Sequence, residues 1–291
     1  MIRLDRFNIS IPRAALGPIL LAAFIVLLIT LRTPPPRPII APPSAVTWNH
    51  PIELPVDPDA ARQPPPPITG QFVQRSNLDI ISAEGLFSPA DQTILATELE
   101  QALTYTTGRF GSGPNDRVSA YVGLEPGCGL HGIAYTEQRT VQVFTCADLP
   151  RYRTVTIMAH EFVHQLAHDR YGPAHLQADM ILLEGLATWG AGSYWLGGQT
   201  DFAAFVREYK TNGSLLPLAT SYVGRPISDM NQLYYQWGSF VEFLIETYGR
   251  EAFDALYVTG NRAPGSADYA GVYGKSLADL EQEWLAWLDR R

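Results

Sequence analysis

The chain has 291 residues, of which 46% are apolar and 17% are charged, and its formal net charge is −8. This acidic balance argues against sequence-independent nucleic-acid binding, which needs clustered lysine and arginine to neutralise phosphates. Two cysteines are too few for a disulfide-rich scaffold or a cysteine-ligated zinc finger. The length allows one large domain or two small ones.

An apolar run occupies residues 14–31, where Thr30 is the only polar side chain. A helix of this length rises about 27 Å, close to the roughly 30 Å of a bilayer core. The flanking arginines favour a cytoplasmic N-terminus at residues 1–13. We therefore predict an uncleaved transmembrane signal-anchor in the cell membrane, single-pass, with the rest of the chain extracytoplasmic. A cleaved signal peptide is the main alternative, although its apolar stretch usually spans about 7–15 residues.

The next segment, residues 32–67, is predicted to be a proline-rich linker. Thirteen prolines fall between residues 33 and 67. Proline fixes the backbone φ angle and removes a hydrogen-bond donor, which favours an extended polyproline II spacer over a packed core. A PxxP ligand is the alternative, and we disfavour it because the predicted side of the membrane is wrong for cytoplasmic readers of that motif.

Residues 68–291 are predicted to form one globular domain. Ser88 and Pro89 have the pattern of a helix start, with an N-cap followed by proline at the first helical position. Strand-like stretches follow at 118–122, 132–135 and 140–145, the last two as a hairpin around the polar turn 136–139. Helices are predicted at 154–170, 177–190, 201–211, 229–248, 250–258 and 276–290. Strands followed by helices indicate an α+β fold rather than a doubly wound one.

The two cysteines, Cys128 and Cys146, bracket the predicted hairpin and would nearly face each other across its strands. A cross-strand disulfide is therefore expected, and it fits an oxidising, extracytoplasmic location. Two unpaired buried thiols are the alternative. Neither interpretation gives the cysteines a catalytic role.

A possible metal site lies in the segment His160-Glu161-Phe162-Val163-His164. On a helix, His160 and His164 are one turn apart on the same face, so both imidazoles can bind one metal ion. Glu161 then lies to the side, where its carboxylate can reach a metal-bound water. The competing interpretation is a pair of structural core histidines.

A third ligand is predicted at Glu184, twenty residues after His164 and on a second apolar helix. Carboxylates are rarely buried unless they are paired or bind metal. Two histidines and one glutamate leave the fourth position of a zinc ion for water, which is the arrangement of a catalytic zinc site. The sequence thus predicts Zn²⁺ bound by His160, His164 and Glu184.

The segments HEFVH and EGLATW together resemble the gluzincin zinc metallopeptidases, in particular their peptidase-MA-like branch. This resemblance spans residues 73 to 291 and implies a zincin-like peptidase domain. It implies that Tyr234, a better match than its neighbour Tyr235, stabilises the oxyanion, with two core aromatic residues as the alternative. It also implies that strand 140–145 holds an extended substrate. Thermolysin-like members carry an aspartate where this chain has Thr188, so we expect another partner to orient a ligand histidine.

Two other zinc-peptidase motifs are not met, and two further histidines follow the predicted ligands in the chain. The metzincin spacing is not met, because it needs glycine and histidine where the chain has Ala167 and Arg170. No GAMEN-type exopeptidase motif is present. His168 is expected at the surface, with contact to the site as the alternative, and His175 lies in a loop that could approach the site.

The resulting hypothesis is a membrane-anchored zinc peptidase that hydrolyses peptide bonds in peptide or protein substrates. Glu161 acts as general base on a zinc-bound water and then as general acid. Three alternatives stay open: a catalytically inactive zincin-fold binding domain on a membrane tether, a hydrolase of a non-peptide bond, and an interaction domain in which HEFVH is coincidental.

Overall fold

The computed structural model describes residues 2–4, 9–11, 64–125 and 127–291. The predicted transmembrane segment at 14–31 and the linker as far as residue 63 lie outside the described residues. Among the described parts of the chain, no helix combines the length and the apolar composition needed to cross a bilayer. The chain divides into two units, Met1–Ala41 and Pro42–Arg291.

In the first unit, strands β1 (Ile2–Leu4) and β2 (Ile9–Ile11) pair antiparallel. In the second unit, five strands precede most of the helices. The strands are β3 (Gln71–Gln74), β4 (Leu78–Ser82), β5 (Val118–Leu124), β6 (His131–Tyr135) and β7 (Thr140–Thr145). The helices are α1 (Pro89–Phe110), α2 (Arg151–Tyr171), α3 (Met180–Ala191), α4 (Phe202–Thr211), α5 (Ile227–Tyr248), α6 (Arg250–Tyr257), α7 (Tyr269–Tyr273) and α8 (Leu277–Leu288). This is the mixed α+β fold, with a small sheet and mostly helices, that the sequence predicts.

The five strands of the second unit form one sheet in the order β3-β4-β5-β7-β6. β4, β5 and β7 run parallel to one another, and α1 forms the crossover that joins β4 to β5. β6 and β7 form the predicted antiparallel hairpin. β7 therefore has strand neighbours on both sides. The prediction that strand 140–145 holds an extended substrate is wrong, since its backbone groups already pair within the sheet. β6 is the edge strand next to β7, and β3 forms the opposite edge of the sheet.

Helix α2 lies between two apolar cores and contributes to both. Its residues Met158 and Phe162 pack with the sheet and α1 in one cluster. Val163, Leu166 and Ala167 pack with α3, α5, α6 and α8 in the other. Because α2 is covered on both sides, even its polar residues are buried, and the HEFVH segment is held rigidly in the interior.

Local capping fixes several helix ends. The Ser88 side chain accepts a hydrogen bond from the backbone N–H of Asp91 at the start of α1, as the sequence predicts. Helix α3 begins at Met180 rather than at residue 177, because Asp179 caps it and residues 172–177 form a 3₁₀ helix. The predicted disulfide between Cys128 and Cys146 is confirmed, with Cα atoms 5.0 Å apart at the open end of the β6–β7 hairpin.

Candidate metal centre

Three side chains from two helices converge beside the sheet. His160 and His164 lie one turn apart on α2, and Glu184 extends from α3. The Nε2 atoms of the two histidines are 3.1 Å apart, and Glu184 Oε2 lies 3.1 Å from His160 Nε2 and 3.6 Å from His164 Nε2. All three side chains are buried. The structure thus brings together the three residues that the sequence predicts as metal ligands.

Close packing of α2 and α3 makes this convergence possible. A Cβ atom added to Gly190 of α3 would lie 2.7 Å from Cγ2 of Val163 on α2, which no ordinary contact allows. The absence of a side chain at position 190 therefore lets the two helices approach each other. Glu184, on the same helix, is held against both histidines as a result.

The donor set fits a zinc ion. Zinc in a tetrahedral site holds nitrogen and oxygen ligands at about 2.0–2.1 Å, which separates neighbouring ligand atoms by about 3.3 Å. The separations of 3.1, 3.1 and 3.6 Å in the cluster agree with that spacing. Imidazole nitrogens and a carboxylate are also ligand types that zinc prefers. The three atoms are therefore arranged to share one ion.

The protonation of Glu184 and His160 suits a divalent cation, whereas burial lowers the pKa of His164 and contact with Glu184 outweighs it, so that the pKa of His164 is raised. Burial alone would raise the pKa of Glu184, but hydrogen bonds to His160 and His164 outweigh burial and hold the pKa well below its usual range. Burial also lowers the pKa of His160, which favours the neutral imidazole that binds metal. Glu184 is therefore ionised and His160 carries an available lone pair, the states that zinc binding requires.

On its Nδ1 side, away from Glu184, the His160 ring is held by packing rather than by a hydrogen bond. Its Nδ1 atom is buried and has no hydrogen-bond partner among the described residues. The ring instead packs against Trp195, at a centroid distance of 4.9 Å, and against Tyr234, stacked at 5.6 Å with an interplanar angle of 2°. These two rings also contact each other, at 5.8 Å. Thr188 does not take the place of the aspartate, because its Oγ1 is also without a partner in the described part of the chain. The expected orienting partner is thus an aromatic pair.

Tyr234 and Tyr235 point to different surroundings. Tyr234 faces the cluster by stacking on His160, and it also contacts Tyr222 at a ring distance of 5.9 Å. Tyr235 stacks on Phe205 of α4, at 5.2 Å. Tyr234 is therefore in contact with a predicted metal ligand.

Glu161 is buried between α2 and the edge strand, with 6% of its surface exposed. Gly132 of β6 lies directly against it: a Cβ atom at position 132 would be 2.5 Å from Oε1 of Glu161. This contact was not predicted from the sequence, although a glycine within a strand commonly marks a close approach. The carboxylate thus lies where the cluster meets the edge of the sheet.

The two histidines that follow the ligands in the chain, His168 and His175, have different surroundings. His175 is buried, its ring is 5.6 Å from that of His164, and its Nδ1 is 2.9 Å from the hydroxyl of Tyr257. His168 is half-buried and its Nδ1 lies 3.0 Å from Thr136 Oγ1. His175 therefore approaches the cluster, whereas His168 contacts the turn between β6 and β7.

No protein-family model matches the chain, and no curated protein sequence matches it. Among solved structures, it is similar to the M1 zinc metallopeptidase from Deinococcus radiodurans, both unmodified and as a mutant with one glutamate replaced by alanine. Each shows 23% identity and a TM-score of 0.42, and the match covers 76% of this chain and 51% of that one. A two-domain M1 zinc metallopeptidase mutant bound to L-arginine matches at 22% identity and a TM-score of 0.42, covering 72% and 48%. The chain thus spans about half the length of these structures.

Proposed function

We propose that the chain is a zinc-dependent peptidase. The observation that supports this proposal best is the convergence of His160, His164 and Glu184, whose ligand atoms lie within 4.8 Å of one another. Three protein ligands are typical of a catalytic zinc site, whereas a structural site takes four. Zinc bound there would polarise a carbonyl group and lower the pKa of water.

Glu161 is the proposed general base and acid. Its carboxylate adjoins the cluster without belonging to it, and it faces the edge strand at Gly132. From that position it can take a proton from the attacking water and pass it to the leaving amine. Tyr234 is the proposed donor to the developing oxyanion, since its ring stacks on His160 beside the cluster.

The edge strand favours a peptide as the substrate. β6 pairs with β7 on one side, and no strand among residues 64–125 and 127–291 pairs with its other side. An extended peptide can add to such an edge through backbone hydrogen bonds. Because Gly132 of this strand touches Glu161, a peptide bound along β6 would lie next to the proposed base.

The test is the Glu161→Gln variant, assayed on mixed peptides after loading with zinc. Loss of the base should lower kcat by roughly 10²-fold or more while zinc stays bound, because Glu161 is not among the ligands. Glu251→Gln, at an exposed position of α6, is the matched control and should retain activity. Full activity in a zinc-containing Glu161→Gln protein would overturn the assignment, and a zinc-containing wild type inactive on every peptide would favour the binding-domain alternative.

We also propose that residues 14–31 anchor the protein and leave this domain extracytoplasmic. The disulfide between Cys128 and Cys146 supports this location, since disulfides persist in oxidising compartments. In intact cells, added protease should then digest residues 64–291, and alkaline washing should leave the protein in the membrane fraction. Protection from the protease would contradict the proposed orientation.

A further inference from the structure

His175 is a buried histidine beside the metal centre that the proposed mechanism does not use. It lies in the 3₁₀ helix Gly172–Gln177, which joins α2 to α3, and only 3% of its surface is exposed. Its ring centroid is 5.6 Å from that of His164, and the two ring planes are inclined at 52°. The group of ligand atoms within 4.8 Å of one another comprises His160, His164 and Glu184 and leaves out His175. His175 therefore packs against a metal ligand without being a ligand itself.

A tyrosine at the end of α6 holds the His175 ring in place. The hydroxyl oxygen of Tyr257 lies 2.9 Å from His175 Nδ1, and the two rings are nearly parallel, at an interplanar angle of 13°. Tyr257 is fully buried, and the ring of Tyr171 packs against it at 4.4 Å. The hydroxyl of Tyr171 in turn donates to Asp254 on α6, at 2.5 Å. A hydrogen bond and a packed ring thus fix the orientation of the His175 imidazole.

The backbone that carries His175 is fixed as well. The N–H of Ala178 donates to the His175 carbonyl, at 3.2 Å. The carboxylate of Asp179, the next residue and the N-cap of α3, accepts hydrogen bonds from the backbone N–H groups of Gly265 and Ala267, both at 3.0 Å. The connection between α2 and α3 is therefore tied to the loop that follows α6, and His175 is held through its main chain and its side chain.

We propose that His175, fixed by Tyr257, is a positioning residue that holds the imidazole of His164 in the orientation that zinc binding requires. The proposal rests on the zinc centre of the function proposed above. The Nε2 atom of His164 faces His160 and Glu184, and its ring packs against His175. Neighbours that orient a ligand imidazole change metal affinity without touching the metal. The Tyr257–His175 pair thus serves His164 as Trp195 and Tyr234 serve His160.

The experiment measures the metal affinity of the full-length protein rather than its activity. The Kd for zinc is measured by competition with a chromophoric chelator in wild type, His175→Ala, Tyr257→Phe and the double variant. The absorption bands of Co²⁺ bound in place of zinc report the coordination geometry. Tyr171→Phe is the matched control, because it removes a hydroxyl that is bonded to Asp254 from the ring that packs on Tyr257. Tm of each metal-free protein measures any loss of stability separately.

We expect His175→Ala to raise the Kd for zinc by about 10- to 100-fold and to shift the Co²⁺ bands, because His164 loses the ring that orients it. Tyr257→Phe keeps its ring and loses one hydrogen bond, so the Kd should rise by about 2- to 10-fold. In the double variant, the change at Tyr257 should add no further loss, because Tyr257 acts through His175. Tyr171→Phe should lower Tm and leave the zinc Kd and the Co²⁺ bands unchanged.

A wild-type zinc Kd and unchanged Co²⁺ bands in His175→Ala would overturn the proposal. An equal rise of the Kd in Tyr171→Phe would also overturn it, since the effect would then be a general loosening of the fold. If His175→Ala does not fold, a wild-type Kd in Tyr257→Phe decides against the proposal in the same way. Zinc-loaded wild type that hydrolyses no peptide would contradict the peptidase function alone, whereas wild type that binds no zinc would contradict both.

Discussion

Gly132 controls the position of the proposed base through steric contact alone. The backbone at this residue is fixed by pairing with Val143 of β7, and a Cβ atom there would lie 2.5 Å from Glu161 Oε1 and 2.6 Å from Ile157 Cγ2. Ile157 and Glu161 are both buried. A side chain at position 132 must therefore displace the Glu161 carboxylate or the strand.

Gly132→Ala should consequently lower kcat by about 10- to 100-fold, since small misplacements of a catalytic group have effects of that size. Zinc content should stay unchanged, because the ligands do not contact Gly132. Steady-state kinetics with metal analysis checks both points. Gly108→Ala is the control, because nothing lies within 4 Å of the added atom. Wild-type kcat in Gly132→Ala would show that Glu161 does not depend on this contact.

Glu242 of α5 is a second residue whose surroundings predict a measurable effect, a dependence of the unfolding free energy on pH. Burial raises the pKa of its carboxyl to about 6, against the opposing charges of Arg109 and Arg291. The folded state therefore holds this proton more tightly than the unfolded state. Stability gained from Glu242 is present at low pH and is lost as the pH rises from about 4.5 to about 6.

Glu242→Gln should remove this pH dependence. Relative to wild type, the variant should gain up to about 2 kcal/mol of unfolding free energy between pH 4 and pH 7, the equivalent of the pKa shift. Tm measured across that pH range, with Glu251→Gln as an exposed control, tests the effect. If Tm changes with pH in the same way in wild type and in Glu242→Gln, the predicted role of Glu242 is contradicted.

Among the elements, the β6–β7 hairpin is held in place by a disulfide bond. The disulfide joins Cys128, in the loop before β6, to Cys146, the residue after β7. At the other end of the hairpin, Arg139 donates to the carboxylate of Asp169 on α2, at 2.5 Å. The edge strand is thus fastened at both ends, which keeps Gly132 against Glu161.

Replacing both cysteines by alanine should lower the unfolding free energy by about 2–4 kcal/mol, since the disulfide closes a loop of moderate length. Urea unfolding gives the difference directly. Wild type under reducing conditions should show the same midpoint as the double variant. A wild-type midpoint that does not respond to the reductant would mean that the hairpin does not depend on the disulfide.

The elements also show what local sequence patterns can predict. The helices α2 and α3 were expected because long apolar periodic segments carry a strong local signal. Strands β3 and β4 were not predicted, because strands of four and five residues are too short to show a clear hydrophobic period. Substrate binding was expected at strand 140–145, which pairs with neighbours on both sides, because strand order depends on pairing between residues distant in sequence.

At the scale of the whole molecule, the two apolar cores share α2. The sheet and α1 pack on one side of this helix, while α3, α5, α6 and α8 pack on the other. The metal cluster lies where residues from both sides meet. The α+β class was predictable from the order of elements, but the burial of HEFVH between two cores was not, since it depends on helices more than 60 residues further along the chain.

The most direct test of the central claim is the zinc content of the purified full-length protein. We expect one zinc per chain in wild type and in Glu161→Gln, and little in His160→Ala or Glu184→Ala, because each of these loses a ligand. A chelator should abolish peptide hydrolysis by wild type, and added zinc should restore it. Wild type without zinc, or a Glu184→Ala variant that keeps it with unchanged affinity, would contradict the account.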